Sequence, residues 1–271
     1  MLLFGTAGIP NSAKKDTFSG IMRLRELGLQ AMELEFVHGI KISHISAQKI
    51  NTFSNKNNIT LSSHAPYYIN LNSLDKEKVE ASINRIIKTA EISQLCGARN
   101  IVVHPGYYHN MDKLETYNNI KKALKRVLQE IQGYNVTIRI ETMGKQSQFG
   151  SLEEVLNLSQ DLGPQIMPCI DFAHLHARTV GKLNTYQEFC QIIDNIQHKL
   201  GKKSIKDLHI HISGIKYSEK GELYHLNLKE SDFNYIDFIK SLKDLEVEGI
   251  VICESPNLED DAIMLKELYY S

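Results

Sequence analysis

The stretch VTIRIETMGKQSQFGSLEEVLNLSQDLGPQIMPCID, residues 136–171, contains one complete strand–helix–strand unit and indicates the fold of the chain. Its two ends, 136–140 and 166–170, are short and apolar, as buried parallel strands are. Between them, Ser151 is followed three residues later by Glu154, a capping-box pattern that predicts the start of a helix. Parallel strands joined by a helix are the repeating unit of α/β folds.

The same alternation of strand and helix patterns continues along the whole chain. The predicted strands are 2–5, 31–36, 59–63, 99–103, 136–140, 166–170, 207–212 and 249–253. The predicted helices are 75–96, 113–132, 151–161, 185–200, 232–244 and 257–269. Because no change in composition divides these units, the sequence predicts an α/β fold with a single (β/α)8 TIM barrel, one catalytic domain over residues 1–271.

Six of the predicted strands end in a residue type that binds metal ions. The residues are His64, His104, Glu141, Asp171, His211 and Glu254. In a (β/α)8 barrel the carboxyl ends of all strands meet at one mouth, so these side chains are expected to converge. A lone histidine at a strand end is more often a structural residue, but three carboxylates brought together would repel one another and would need cations. The pattern therefore predicts a multi-metal site.

The spacing of neighbouring residues adds detail to this prediction. His209 and His211 are two apart on one strand and point to the same side, with His211 nearer the mouth and His209 deeper. Asp171 and His174 are spaced to serve neighbouring ions from one turn, and Glu141 is expected to bridge two ions. Nitrogen and oxygen ligands without thiolate fit two or three zinc ions, with manganese or iron as alternatives. Paired cations of this kind suit hydrolysis of a phosphodiester.

Composition limits the partners and the location of the protein. A net charge of −1 excludes a bulk-basic nucleic-acid binder, but not a DNA substrate, because a local basic rim and bound cations can supply positive charge. The chain has no apolar stretch of transmembrane length, no signal-peptide pattern at its start and no CxxC motif. We therefore expect a cytoplasmic protein that does not contact membranes. A monomer is expected because barrels of this kind can act as monomers. The long polar segment 214–232 is expected to overhang the mouth of the barrel.

At these residues the chain resembles the endonuclease IV family of apurinic/apyrimidinic (AP) endonucleases. The strongest matches are HAPYYINL (64–71), HPG (104–106), ETMGKQSQFGSLEEV (141–155), CIDFAHLHAR (169–178), HIHISGI (209–215) and CESP (253–256). The resemblance implies hydrolysis of the phosphodiester 5′ to an abasic site in duplex DNA, a step of base excision repair. The products would be a 3′-hydroxyl and a 5′-deoxyribose phosphate.

The resemblance also implies which residues hold each ion. The implied first zinc site comprises His64, His104 and Glu141; the second comprises Glu141, Asp171, His211 and Glu254. His174 and His225 are implied for a third site, where the family has an aspartate two residues before its second histidine. Here that position is Leu223, and Glu222 is the substitute that could serve.

Four further residues are expected to contact DNA. Tyr67 matches a family position that helps to hold DNA open at the lesion. Lys145, Arg139 and Arg178 are candidates for phosphate contact. Arg139 lies inside a predicted strand, so a salt bridge within the barrel is the alternative for that residue.

Sugar isomerases and epimerases of the same superfamily provide the alternative function. They hold one divalent metal on a Glu, Asp, His, Glu quartet, which Glu141, Asp171, His211 and Glu254 would supply equally well. The additional residues His64, His104 and His174 favour the endonuclease, because proton transfer on a free sugar needs no further metals. A barrel that binds a partner without catalysis is the least favoured interpretation.

Overall fold

In the computed structural model, which describes residues 1–271, eight parallel strands form a closed barrel. The barrel strands are β1 (Leu2–Ala7), β2 (Ala31–Glu35), β3 (Thr60–His64), β4 (Asn100–Val103), β5 (Thr137–Glu141), β6 (Ile166–Asp171), β7 (Leu208–Ile212) and β10 (Gly249–Cys253). Their order around the barrel is β1, β10, β7, β6, β5, β4, β3, β2, and β2 pairs again with β1. The predicted (β/α)8 TIM barrel is confirmed, and every predicted strand is found within two residues of its predicted bounds.

Nine helices alternate with the strands. They are α1 (Thr17–Glu26), α2 (His44–Lys56), α3 (Lys76–Cys96), α4 (Lys113–Glu130), α5 (Leu152–Leu162), α6 (Phe172–Arg178), α7 (Tyr186–Leu200), α8 (Tyr235–Asp244) and α9 (Glu259–Tyr270). The six predicted helices are all present, whereas α1, α2 and the short α6 were not predicted. No helix combines the length and the apolar content that crossing a bilayer requires.

The capping box at the start of α5 is present as predicted. The Ser151 side chain accepts a hydrogen bond from the backbone N–H of Glu154, and the Glu154 carboxylate accepts one from the backbone N–H of Ser151. A second capping box, formed by Thr185 and Glu188, starts α7. Both caps satisfy backbone donors that would otherwise be unpaired at the helix start, and they fix where the preceding βα loop ends.

Side chains alternate between the helix layer and the barrel interior along each strand. On β5, Ile138 and Ile140 pack in the apolar layer beneath the helices. Arg139 and Glu141 alternate with them. Arg139 is fully buried, with its Nη2 atom 2.6 Å from Asp207 Oδ2 and its Nε donating to Asn100 Oδ1 at 2.9 Å. The prediction that Arg139 contacts phosphate is therefore wrong, because its guanidinium is held by residues at the amino ends of β4 and β7. The alternative, a salt bridge within the barrel, is confirmed.

The polar segment that follows β7 forms an antiparallel hairpin rather than an irregular loop. Its strands are β8 (Gly214–Ser218) and β9 (Gly221–Leu226). Gly221 has a φ of 97°, which places it in the left-handed region that closes the tight turn. The backbone N–H of Glu222 donates to the carbonyl of Gly144 at 3.2 Å, which ties the hairpin to the loop after β5. The predicted overhang is therefore present, as an ordered hairpin.

Candidate metal centre

One carboxylate, that of Glu141, lies at the middle of the barrel mouth and approaches four imidazole rings. Its Oε2 atom is 2.8 Å from His104 Nε2 and 3.3 Å from His64 Nε2. Its Oε1 atom is 3.2 Å from His174 Nδ1 and 3.6 Å from His211 Nδ1. Each oxygen thus serves a different pair of histidines, which is the arrangement a bridging carboxylate requires.

Three groups of side chains bring their ligand atoms within 4.8 Å of one another at the mouth. These groups are His64, His104 and Glu141; then Glu141, Asp171, His211 and Glu254; then His174, Glu222 and His225. The structure therefore brings together every residue that the sequence analysis assigned to a metal site, and it places Glu222, the substitute considered for Leu223, in the third group. A fourth group, Cys169, His209 and His211, is wholly buried. Burial raises the pKa of the Cys169 thiol, which disfavours the thiolate form that binds metals.

The polar atoms at the mouth fit divalent cations. Asp171 Oδ2 and His211 Nδ1 are buried and have no hydrogen-bond partner. Buried polar atoms of folded proteins nearly always have a partner, so orphaned atoms on two neighbouring side chains indicate a missing one. Since one atom is an anionic oxygen and the other an imidazole nitrogen, a divalent cation satisfies both.

The pKa shifts at the mouth arise from burial and from the close approach of carboxylates and imidazoles. Burial raises the pKa of Asp171 to about 6, although the nearby His174 charge opposes the shift. Burial also opposes ionisation of Glu141, but the imidazole charges, His104 foremost, hold the pKa of that carboxyl well below its usual range. Burial lowers the pKa of His64, yet its hydrogen bond to Glu141 and the surrounding carboxylates raise it to about 9. Without a metal, protons on the imidazoles thus supply the positive charge that the carboxylates need.

The third group differs from the family pattern in the residue that supplies its carboxylate. Leu223 is turned outward, while Glu222 Oε2 lies 3.6 Å from His174 Nε2. Gly144 makes this approach possible, because a Cβ atom at that position would lie 2.8 Å from Glu222 Oε2. The longer glutamate side chain therefore reaches the site from one residue earlier in the chain.

Two acidic residues of β2, Glu33 and Glu35, were not identified from the sequence. Glu33 is fully buried, and its Oε1 lies 2.9 Å from His211 Nε2. Its Oε2 lies 3.0 Å from His209 Nε2 and accepts a hydrogen bond from Ser62 Oγ at 2.7 Å. The alternating acids of MELEF were a usable signal, because residues two apart on a strand face the same side.

The Glu33 carboxylate forms an ion-pair contact with the ring of His211, although Glu33 Oε1 and His211 Nε2 do not meet at the angle of a hydrogen bond. Its contact with Nε2 leaves Nδ1 directed towards Glu254 Oε1, 3.4 Å away. A carboxylate beside the second nitrogen of a metal-binding histidine helps to orient the ring. His209 lies one layer deeper, as predicted, and shares the same carboxylate.

We expect Glu33→Gln to weaken metal binding about 10- to 100-fold while the barrel stays folded, because glutamine keeps the shape but loses the charge that orients His211. Competition with a chromophoric chelator measures this change directly, without any assay of activity. Ser62→Ala is the matched control, since it removes another partner of Glu33 and leaves the contact with His211. Unchanged metal affinity in Glu33→Gln would show that Glu33 has only a structural role.

Glu35 lies beside the metal groups at the edge of a cavity. The cavity has a volume of about 540 Å³ and lies between the loops after β1 and β2, with Lys15 and Lys41 among its lining residues. Burial raises the pKa of Glu35 to about 8, although the charge of His64 opposes this shift. Unlike Glu33, Glu35 has no imidazole within ion-pair distance.

With Arg139 excluded, the three remaining residues predicted to bind DNA have different surroundings. Tyr67 is half-exposed and stacks on the His104 ring, with the centroids 5.3 Å apart. Lys145 is exposed in the loop after β5. Arg178 donates from Nη1 to the carbonyls of Met143, Lys145 and Gln148, so it braces that loop from beneath. Contact between these residues and DNA remains a prediction.

Comparison with known proteins places the chain in a family. Residues 21–268 match the family model of the xylose isomerase-like TIM barrel. An uncharacterized protein of Methanocaldococcus jannaschii is 49% identical over 271 residues, which cover 99% of this chain and 97% of that protein. The probable endonuclease 4 of Bacillus subtilis is 28% identical over 207 residues, 73% of this chain and 67% of its own length. The resemblance to the endonuclease IV family is thereby confirmed.

Solved structures of two enzyme classes share the fold. A D-tagatose 3-epimerase-like protein has a TM-score of 0.73 at 19% identity, over 98% of this chain and 96% of its own. Endonuclease IV from Thermus thermophilus has a TM-score of 0.72 at 17% identity, over 98% of this chain and 97% of its own. These structural similarities concern the fold alone. The chain belongs to the xylose isomerase-like TIM barrel family.

Proposed function

We propose that this protein is a metal-dependent AP endonuclease that hydrolyses the phosphodiester 5′ to an abasic site in duplex DNA. The observation that carries this proposal is Glu141, one buried carboxylate shared between two pairs of imidazoles. An enzyme that holds one metal on the quartet does not require His64 and His104, which approach the Oε2 atom of Glu141. The similarity to probable endonuclease 4 proteins supports the same choice.

Two or three ions, zinc in the first place, would be held by the three groups at the mouth. When bound, such cations supply an activated water and neutralise the charge that develops on a phosphodiester. Glu141 sets the separation between the first two groups, and Asp171 and His211 contribute the orphaned atoms. Glu222 completes the third group in place of the family's aspartate.

The exposure of the ligand groups indicates from which side a substrate would enter. His64, Glu141, Asp171 and His211 are buried, whereas His104, Glu254 and Glu222 are 21%, 10% and 18% exposed. The scissile phosphodiester would therefore approach through the opening that His104, Glu254 and Glu222 border. Tyr67 stands over His104 at this opening and would contact the extruded nucleotide. Extrusion costs least where the base is already missing, which is a source of selectivity.

A single-metal sugar isomerase or epimerase is the second candidate. The quartet Glu141, Asp171, His211 and Glu254 favours it, because these ligand atoms converge as such an enzyme would need. The two additional ligand groups, which include His104 and His174, count against it. In either case we propose a cytoplasmic protein that acts as a monomer.

The test is incubation of the purified protein with a duplex that carries one abasic-site analogue. The protein is used as isolated and after exhaustive chelation, with the same duplex lacking the lesion as control. Incision directly 5′ to the site, lost on chelation and restored by zinc, is the expected result. Absence of incision with one bound metal per chain, together with turnover of a free ketose, would establish the isomerase or epimerase instead.

A further inference from the structure

The β8–β9 hairpin carries two large exposed side chains above the mouth, Leu223 at 52% and Tyr224 at 57% exposure. Leu223 occupies a β-bulge: Lys216 pairs with Tyr224 and Tyr217 pairs with Glu222, so Leu223 has no partner across the hairpin. A bulge redirects the side chains around it. Here it lets Glu222 face the metal groups while Leu223 and Tyr224, the next two residues, face solvent.

The opposite side of the mouth carries a second exposed pair. Tyr67 and Tyr68, 49% and 52% exposed, lie in the loop after β3. Four steps around the eight-stranded barrel separate β3 from β7, the strand that precedes the hairpin, so the two pairs face each other across the metal centre. Each pair also adjoins a ligand group, because Tyr67 stacks on His104 and Tyr224 precedes His225.

Positive charge surrounds the hairpin pair. Lys216 is paired with Tyr224 in the hairpin, and Lys220 lies in its turn. Lys145 forms an isolated bridge with Gly221, next to the same turn. All three lysines are exposed, and Glu219 is the one exposed acid of the hairpin. Apolar side chains between lysines fit a nucleic acid, in which bases are flanked by phosphates.

We propose that Leu223 and Tyr224 form a wedge that enters the base stack of duplex DNA on the side of the lesion opposite to Tyr67 and Tyr68. Apolar side chains of this size insert between base steps and hold a duplex open. The gap at an abasic site offers space for such insertion at the lowest unstacking cost. The wedge rests on the proposed function, because it requires a duplex whose lesion lies over the metal groups.

The test uses a duplex with an abasic analogue, a non-hydrolysable 5′ linkage and the fluorescent base 2-aminopurine opposite the lesion. Binding of the wild-type protein is expected to raise the fluorescence, because the reporter base becomes unstacked. The double variant Leu223→Ser, Tyr224→Ser should lose most of this rise. It should also bind abasic DNA about tenfold more weakly, because loss of one stacking contact has an effect of this size. Its affinity for intact duplex should be nearly unchanged. Leu114→Ser, on the outer face of α4, is the matched control.

The outcomes separate the wedge from the proposed function. A double variant with unchanged fluorescence, in a protein whose wild type incises abasic DNA, would overturn the wedge alone. A wild type that neither binds nor incises abasic duplex would overturn both. A concentration-dependent dimer that the double variant abolishes would assign the patch to self-association, against the wedge. The metal content of the double variant is measured as well. If it equals that of the wild type, a loss of fluorescence does not result from displacement of Glu222 or His225.

Discussion

Replacement of Glu141 by glutamine is expected to lower the rate of incision about a thousandfold and to leave the barrel folded. Both oxygens of Glu141 are used, Oε2 by His64 and His104 and Oε1 by His174 and His211. Glutamine has the same shape but presents an N–H₂ group to one of these pairs and carries no charge. Loss of a cation that stabilises the transition state costs several kcal/mol, which corresponds to about three factors of ten in rate.

Single-turnover incision of the abasic duplex measures this effect, with metal content and the circular-dichroism melting curve recorded on the same sample. The control is Glu153→Gln, which makes the same change on the exposed side of α5. A Glu141→Gln protein that incises within a factor of ten of the wild type would refute the bridging role. A protein that has lost its structure would call for Glu141→Asp as the substitute test.

Replacement of His174 by alanine is expected to remove one metal ion per chain and to slow incision about 10- to 100-fold. His174 lies between Glu141 Oε1 at 3.2 Å and Glu222 Oε2 at 3.6 Å, so its loss breaks the link between the third group and the bridging carboxylate. Glu222→Gln should act in the same direction with a smaller effect, because the two imidazoles remain. Mutation of residues that only support metal ligands already costs about 10- to 100-fold, and we expect at least this effect from loss of His174.

Elemental analysis of extensively dialysed protein gives the number of ions in each variant. Glu219→Gln is the control, since Glu219 lies in the same hairpin and is exposed to solvent. If His174→Ala and Glu222→Gln both keep the wild-type metal content, no ion is bound at the third group. That result would leave the first two groups, and the Glu141 prediction, unaffected.

The strand-end residues were predictable because a buried strand and a metal-binding residue type can each be recognised in the sequence. Each barrel strand is a short apolar run, and a histidine or carboxylate stands where the run stops, as at His104 and Asp171. The closed barrel then brings these ends together, so position along the strand was sufficient. The same logic failed for Arg139, since a polar residue within a strand faces a different layer of the barrel from one at its end.

The acids of β2 and the hairpin were not predictable in the same way. Glu33 lies inside its strand, so alternation in MELEF shows only that Glu33 and Glu35 face the same side. The contact of Glu33 with His211 from across the barrel depends on how the strands pair in space. The sequence shows that Leu223 stands where the family has an aspartate, but it does not show that Glu222 reaches the site instead. The bulge in β9 and the missing side chain at Gly144 together decide that Glu222 reaches His174, and both are properties of the folded backbone.

Closure of the barrel has a consequence for how the protein matures in the cell. The ligand groups draw on β3 to β7, on β9 and on Glu254, which follows β10. Strand β10 is held in place by pairing with β1 and β7. The second group therefore lacks one of its four members until the last strand has left the ribosome and joined the first. A chain that ends before residue 254 therefore lacks Glu254 and cannot assemble the complete second group.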